Sequence, residues 1–312
     1  MAAGGSFVWA PEGLSYAYMR GNDTVVVGRV GETEKTITVP LTRRATDPAV
    51  SDTTAEAKAK RARMGLKPSQ LSKSGRWVVL NNRDGQWMLD TQSGTADNFV
   101  KYPAEESEAP TVAISFWTPD ESAVYYTVNS RVQWDKSFMR YQPAARTATI
   151  VKHDENGQRY ANFRLSKDGS TVIYTVANGY LPGNYFASDL SFSNPRQLTD
   201  PNPWMKERSW GKSELFDYLD VDGRRLKGVL YYPVDYQPGK AYPTVFEVYE
   251  TMFDDRFGGL VAYLNANGYV VAMPSVHLEM GWPVEAWKKG VTAAANKLIE
   301  RGIADSDRKS VV

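Results

Sequence analysis

The side chains best suited to catalysis in this sequence are a serine and a histidine two positions apart, Ser275 and His277. A histidine that takes the proton of a serine hydroxyl makes that serine a nucleophile for acyl transfer. Two features argue against this chemistry. Ser275 lacks the flanking glycines of a nucleophile elbow, and no aspartate is spaced to orient the imidazole. We therefore expect a loop that follows a strand, with His277 as a polar contact.

Two other polar clusters could bind a ligand, but each has a simpler interpretation. His153 lies in the polar turn 152–157, where no second residue is spaced to share a metal ion. The acidic run of Glu105, Glu106 and Glu108 could hold a substrate amine, although such runs are usually solvated loops. The sequence predicts no metal site and no cofactor, since it also contains no phosphate loop or dinucleotide fingerprint.

The composition excludes several classes of protein. The 312 residues include 37 Lys and Arg against 36 Asp and Glu, a formal charge of +1. A nucleic-acid partner is not expected, because such binding needs a concentrated basic face. With no cysteine, the chain has no disulfide framework and no thiol nucleophile. No run approaches the roughly 20 apolar residues of a membrane span. Compartment and oligomeric state stay open.

A fourfold repeat fills the first two hundred residues. Its segments begin at Trp9, Leu71, Trp117 and Leu165, spaced by 62, 46 and 48 residues. Each continues through a polar turn into large apolar residues seven and nine positions after the start, which is the period of one strand face. Spacings near 46 are typical of four-stranded propeller blades. The third segment has Glu121 where the others have a turn glycine.

The longer first spacing contains a charged segment, 53–65, which predicts a short helix that ends at Gly65. The repeat therefore favours a β-propeller with about four blades before residue 200. An antiparallel sandwich with similar hairpins is the alternative.

The last hundred residues have a different pattern. Segment 214–233 reads as two strands joined by a hairpin at Asp222-Gly223. An apolar strand over 244–249, a helix, and a strand over 268–274 follow. A helix over 285–301 with Gly302 as its stop and the start of another strand complete the pattern. Alternating strands and helices favour an α/β layer architecture.

Several of these segments resemble the prolyl oligopeptidase family of serine peptidases. The resemblance rests on Pro-Arg-Gln-Leu-Thr-Asp at 195–200, on 232–243, on the strand that ends Val248-Tyr249, and on 298–308. It implies an all-β propeller domain, partial with about four blades, over 1–203. The N-terminal part of an α/β hydrolase domain would follow over 204–312. Members of this family cleave peptides with a Ser-Asp-His triad.

The resemblance gives one site residue a role. Tyr249 matches the family's tyrosine after the first long hydrolase strand, whose hydroxyl helps to stabilise the oxyanion. The family usually continues Tyr-Gly-Gly, whereas this chain continues Tyr249-Glu-Thr-Met. The Gly-x-Ser-x-Gly elbow would fall just beyond Val312, with the aspartate and histidine further on. We therefore expect a serine peptidase that acts on peptide substrates in the full-length parent, and an inactive chain over these 312 residues alone.

Two other functions fit the same sequence. One is a non-catalytic propeller that binds a peptide or protein, with a vestigial hydrolase segment. The other is a hydrolase of the same fold that acts on esters, because a fold does not determine its substrate.

Overall fold

The computed structural model describes residues 7–11, 13–41, 43–45, 47–49, 51–154 and 158–312, so part of the turn 152–157 lies outside the described residues. Within these ranges the protein is mostly β-sheet, with five sheets and three α-helices. The first four sheets each consist of four strands that are hydrogen-bonded in chain order. These strands are β1 (Phe7–Trp9), β2 (Ser15–Met19), β3 (Thr24–Arg29), β4 (Lys35–Thr38), β5 (Lys67–Leu71), β6 (Trp77–Asn82), β7 (Gly85–Asp90), β8 (Ala96–Lys101), β9 (Thr111–Trp117), β10 (Val124–Asn129), β11 (Lys136–Gln142), β12 (Thr147–His153), β13 (Arg159–Leu165), β14 (Val172–Asn178), β15 (Leu181–Ser188) and β16 (Arg196–Gln197).

Helical segments lie between successive sheets. The predicted helix at 53–65 is confirmed as α1 (Ala55–Met64), which Thr54 caps by accepting a 3.2 Å hydrogen bond from the backbone N–H of Ala57. Short 3-10 helices cover Glu106–Glu108 and Pro203–Glu207.

Each repeat segment forms the hairpin between the first and second strands of one sheet. In the second to fourth sheets, the residues seven and nine positions after the start are at most 2% exposed. They are Val78, Leu80, Val124, Tyr126, Val172 and Tyr174. The first sheet differs, because its equivalents Tyr16 and Tyr18 are only half-buried. Their rings stack on Phe7 and their hydroxyls donate to Glu34 at 3.0 and 3.1 Å.

The hairpin turns also contact one another from sheet to sheet. Gly75 has φ +78° and faces Ser15 of the first sheet so closely that a Cβ would meet its side chain at 2.9 Å. Gly169 has φ +75° and faces Pro119 in the same way, at 2.7 Å. Glycine is therefore required twice over at these turns, by its backbone conformation and by the close approach.

Glu121 occupies the equivalent left-handed position with φ +56°. Its carboxylate accepts a 3.0 Å hydrogen bond from the Ser72 hydroxyl and further bonds from the backbone N–H and hydroxyl of Ser74. These contacts join the third hairpin to the second and offset the strain of a left-handed side-chain residue.

The fifth sheet has the order β17-β18-β20-β19-β21. Its strands are β17 (Ser213–Leu219), β18 (Arg225–Tyr231), β19 (Tyr242–Phe246), β20 (Val270–Pro274) and β21 (Ala304–Val311). The pairs β17–β18 and β18–β20 are antiparallel, whereas β20–β19 and β19–β21 are parallel. Helices α2 (Gly259–Ala266) and α3 (Pro283–Glu300) make the connections to β20 and β21. The hairpin at Asp222-Gly223 and the stop at Gly302, with φ +67°, are confirmed.

The core of this sheet is apolar and aromatic. Phe216, Leu230, Phe246 and Ala272 of the strands pack with Leu298 of α3 and are at most 2% exposed. The predicted strand over 244–249 was wrong at its end, because regular pairing stops at Phe246. Val248 keeps one hydrogen bond, from its N–H to the Val312 carbonyl at 3.1 Å, and the chain then leaves the sheet.

The chain divides into two compact units. One comprises residues 1–153 and 164–170, and the other comprises 154–163 and 171–312. Most of the fourth sheet therefore belongs to the same unit as the fifth. The domain boundary between residues 203 and 204 stays a prediction.

A buried ion pair ties the segment before α1 to the second sheet. Arg83 donates to both carboxylate oxygens of Asp47, and the two side chains are 3% and 1% exposed. The hydrogen bond from Arg83 is the main reason that the pKa of Asp47 lies well below its usual range.

We predict that Glu121→Gly is more stable than Glu121→Ala, because the backbone at position 121 is left-handed. Glu121→Ala keeps the left-handed strain and loses the bonds to Ser72 and Ser74, which should cost about 1–2 kcal/mol. Glu121→Gly should regain about 0.5–1 kcal/mol of that loss, since glycine removes the strain but loosens the unfolded chain. Urea unfolding measures both. An alanine variant as stable as the glycine variant would contradict the assignment.

We also predict a defined pH dependence for the Asp47–Arg83 pair. The native pKa of Asp47 is lowered, so the pair's contribution is fully present above the unfolded pKa and is lost as the pH falls below about 4. The difference in unfolding free energy between the wild type and Asp47→Asn should therefore be constant from about pH 7 to 5 and shrink below about pH 4. Urea unfolding across this range tests it, and a difference that shrinks already between pH 7 and 5 would refute it.

Candidate functional site

The carboxyl ends of the parallel strands lie together at one edge of the fifth sheet. Strands β19, β20 and β21 run parallel, so the loops that follow them leave the sheet at the same edge. In α/β proteins this edge is where ligands bind. Two described loops begin there, 247–258 after β19 and 275–282 after β20.

Tyr249 lies in the first of these loops. Its side chain is 64% exposed, and its hydroxyl makes no hydrogen bond to any part of the chain that the structure describes. The N–H of the preceding residue, Val248, donates to the carbonyl of Val312 just past the end of β21. Tyr249 is thus a free hydroxyl donor close to the carboxyl end of β21.

Ser275 has a structural role. It is 8% exposed, and its hydroxyl both accepts from the Met252 N–H at 2.8 Å and donates to the Met252 carbonyl at 2.9 Å. The Tyr218 hydroxyl donates to the Ser275 carbonyl. Ser275 therefore ties the 247–258 loop to the end of β20. His277 is exposed and forms no hydrogen bond with Ser275, so the two are not brought together as a catalytic pair.

The same loop contains a buried carboxylate that the sequence did not predict. The side chain of Asp255 is 1% exposed and forms an ion pair with Arg159 at the start of β13. Its Oδ2 also accepts from the Gly179 N–H at 2.8 Å and from the Ser213 hydroxyl. Arg159 donates in addition to the Asp255 carbonyl. One side chain thus joins the Tyr249 loop to the fourth sheet and to β17.

This cluster requires a glycine at position 179, because a Cβ there would collide with the Asp255 carboxylate. Burial lowers the pKa of the Arg159 guanidinium, which the nearby acidic groups partly oppose. The sequence separates Arg159 from Asp255 by 96 residues, and no local pattern marks either residue.

The other predicted polar clusters do not join this site. His153 is the last residue of β12 and its Nε2 lies 2.9 Å from Asp135. Glu106 and Glu108 lie in the short 3-10 helix, where Glu106 is 3.8 Å from Arg63. No group of three or more potential ligand side chains in the described ranges is arranged to hold a metal ion. Among the same residues, no helix is both long and apolar enough to cross a bilayer.

Comparison with solved structures finds proteins of similar fold. A prolyl endopeptidase matches with a TM-score of 0.61 and 13% identity, over 98% of this chain and 44% of that chain. A puromycin-hydrolysing peptidase of Mycobacterium tuberculosis matches with a TM-score of 0.58 and 15% identity, over 99% and 50%. An acylaminoacyl peptidase of Pyrococcus horikoshii matches with a TM-score of 0.55 and 12% identity, over 100% and 48%.

These relatives belong to the prolyl oligopeptidase family, whose members carry a β-propeller, and this chain spans about half of their length. The resemblance predicted from the sequence is thereby confirmed at the level of the fold. No family model matches the chain, and no curated protein matches it.

We predict that Arg159→Ala destabilises the second unit by about 3–5 kcal/mol, because it leaves the Asp255 carboxylate buried without its countercharge. Lys206→Ala is the matched control, since it removes an exposed ion pair with Asp200 and should cost less than about 1 kcal/mol. Urea unfolding gives both values. Limited proteolysis should also cut the 247–258 loop faster in Arg159→Ala. Equal effects of the two substitutions would show that the buried pair is not an anchor.

Proposed function

We propose that this chain supplies the substrate-facing blades and the first half of the catalytic domain of a serine peptidase of the prolyl oligopeptidase type. The peptidase hydrolyses peptide bonds through an acyl-enzyme. The proposal includes the division into a propeller domain over 1–203 and part of an α/β-hydrolase domain over 204–312.

The single observation that carries the proposal is the order of the fifth sheet. Two antiparallel strands come first, and the chain then crosses twice through helices, so that β19 lies between β20 and β21. In an α/β hydrolase, a strand of this parallel set ends in the sharp turn that exposes the nucleophilic serine. The loop after the third strand supplies part of the oxyanion hole. In this chain β19 is the third strand of the sheet in chain order, and Tyr249 lies in the loop that follows it.

The chemistry assigned to Tyr249 is electrostatic. When a serine attacks a peptide carbonyl, negative charge develops on the carbonyl oxygen, and a fixed O–H donor stabilises that charge more than it stabilises the substrate. The exposed hydroxyl of Tyr249, which has no hydrogen-bond partner among the described residues, is able to act as this donor. Ser275 anchors the Tyr249 loop at Met252, and Gly179 and Ser213 anchor it at Asp255.

The nucleophile is the part that these residues do not supply. The 312 residues contain no Gly-x-Ser-x-Gly, and the hydroxyl of Ser275 is committed to Met252. An oxyanion donor without a nucleophile and a base has no acyl transfer to assist. The chain over these residues alone is therefore inactive in this proposal.

The test begins with the gene. A Gly-x-Ser-x-Gly motif encoded within about ten codons after Val312 supports the proposal. Unrelated sequence there would favour a non-catalytic propeller that binds peptides.

We predict that, in a protein that contains this elbow, Tyr249→Phe lowers kcat on a peptide substrate by about 100-fold, because one oxyanion donor is lost. The KM should change little, since the donor acts mainly in the transition state. Tyr263→Phe is the control, as Tyr263 is a similarly exposed tyrosine on α2, 66% exposed. Steady-state kinetics of both variants measure the effect. An unchanged kcat for Tyr249→Phe would remove Tyr249 from the site without excluding the peptidase.

A further inference from the structure

A pocket of about 220 Å³ lies within the second compact unit, between segment 204–212 and helix α2. Its walls are aromatic and aliphatic, and they include Trp204, Trp210 and Tyr180 together with Val261 and Ala262 of α2. This volume is below the range of drug-sized sites, and it suits a single aromatic ring with a short polar substituent.

The aromatic wall is held in position before any ligand arrives. The indole N–H of Trp210 donates to the Met205 carbonyl at 2.8 Å, and its ring packs edge-on to Phe257 with centroids 6.0 Å apart. Trp204 lies 6.2 Å from Trp210 at an interplanar angle of 51° and is 52% exposed. Trp204 thus offers an open ring face beside a fixed one, which lowers the entropic cost of stacking a ligand.

The pocket also has an unbalanced positive charge. Arg208 and Lys212 line it and are exposed, and neither forms an ion pair with any described residue. The Lys212 ammonium lies 5.3 Å from the centroid of the Tyr232 ring. None of the described residues that line the pocket is acidic. The nearby Lys206, by contrast, is paired with Asp200.

Two other polar side chains of the pocket, those of Asn265 and Tyr231, already have hydrogen-bond partners. The side-chain amide of Asn265 donates to the carbonyls of Tyr231 and Tyr269 at 3.3 and 2.9 Å. The Tyr231 hydroxyl accepts from the Arg256 N–H at 2.9 Å. Arg208 and Lys212 are the charged side chains of the described lining, and the charge they recognise is negative.

We propose that this pocket binds a small aromatic carboxylate, with its ring against Trp204 and Trp210 and its carboxylate at Arg208 and Lys212. A free aromatic acid and the carboxyl-terminal aromatic residue of a peptide share this chemistry. The site is distinct from the proposed oxyanion site. Tyr231 of the pocket pairs with Val271 near the amino end of β20, whereas Tyr249 follows the carboxyl end of β19.

The test uses N-acetylphenylalanine as the probe, titrated into the full chain by isothermal calorimetry. A ligand of this size in such a pocket should bind with a Kd of about 1 mM. N-acetylphenylalanine amide lacks the carboxylate and N-acetylalanine lacks the ring, so each should bind at least about tenfold more weakly.

Substitutions identify the site. Trp204→Ala and the double change Arg208→Ala with Lys212→Ala should each weaken binding by about five- to tenfold. All three side chains are exposed, so the variants should unfold at the wild-type urea concentration. Lys206→Ala, which removes a cation that does not line this pocket, should bind as the wild type does.

The outcomes separate the two sources of ligand. Tighter binding of Ala-Ala-Phe than of N-acetylphenylalanine assigns the site to peptide carboxyl termini, and equal binding assigns it to free aromatic acids. Either result supports the proposal. Equal affinity for the acid and the amide, no binding of the acid at several millimolar, or full binding by the Trp204 and Arg208/Lys212 variants would overturn it. None of these results depends on peptidase activity.

Discussion

The second unit depends on the burial of one carboxylate. Asp255 is removed from water at a cost of several kcal/mol, which is compensated only if Arg159, Gly179 and Ser213 all reach it. Those partners lie on the fourth sheet, on the loop before β15 and on β17. The loop after β19 can therefore adopt this conformation only when the distant segments that carry these partners have folded. The loop that carries Tyr249 gains its rigidity from this dependence.

The first unit is stabilised by contacts between the hairpins of successive sheets. Its sheets have apolar faces that no single sheet can cover, so each must be buried by the next. The hairpin turns give successive sheets a fixed relation, through Gly75 against Ser15 and Glu121 against Ser72. At Gly75, the absence of a side chain lets two hairpins come into van der Waals contact. At Glu121, which replaces the glycine, the carboxylate links two hairpins by hydrogen bonds.

The features that could be predicted from the sequence are those that depend on neighbours in the chain. Strand alternation after Leu71 and Trp117, the capped helix from Ala55 and the hairpin at Asp222-Gly223 are local patterns, and the structure contains them. The half-open face of Tyr16 and Tyr18 was not predicted, because the alternation is the same whether a neighbouring sheet covers that face or not. The Arg159–Asp255 pair was missed for a stronger reason, since only the folded chain brings its members together. The role proposed for Tyr249 rests on family resemblance, because no local pattern marks this tyrosine.

The stacked rings of the first sheet have a consequence for spectroscopy. Phe7 lies 5.3 Å from Tyr16 and 5.8 Å from Tyr18, with interplanar angles of 18° and 14°, and Trp9 meets Tyr16 edge-on at 5.4 Å. Electronic transitions of rings this close couple, and chiral coupling gives rise to circular dichroism in the aromatic region. The stacked rings of the first sheet thus contribute, together with other stacked pairs such as Phe116 and Tyr125, to a label-free optical signal that depends on their packing.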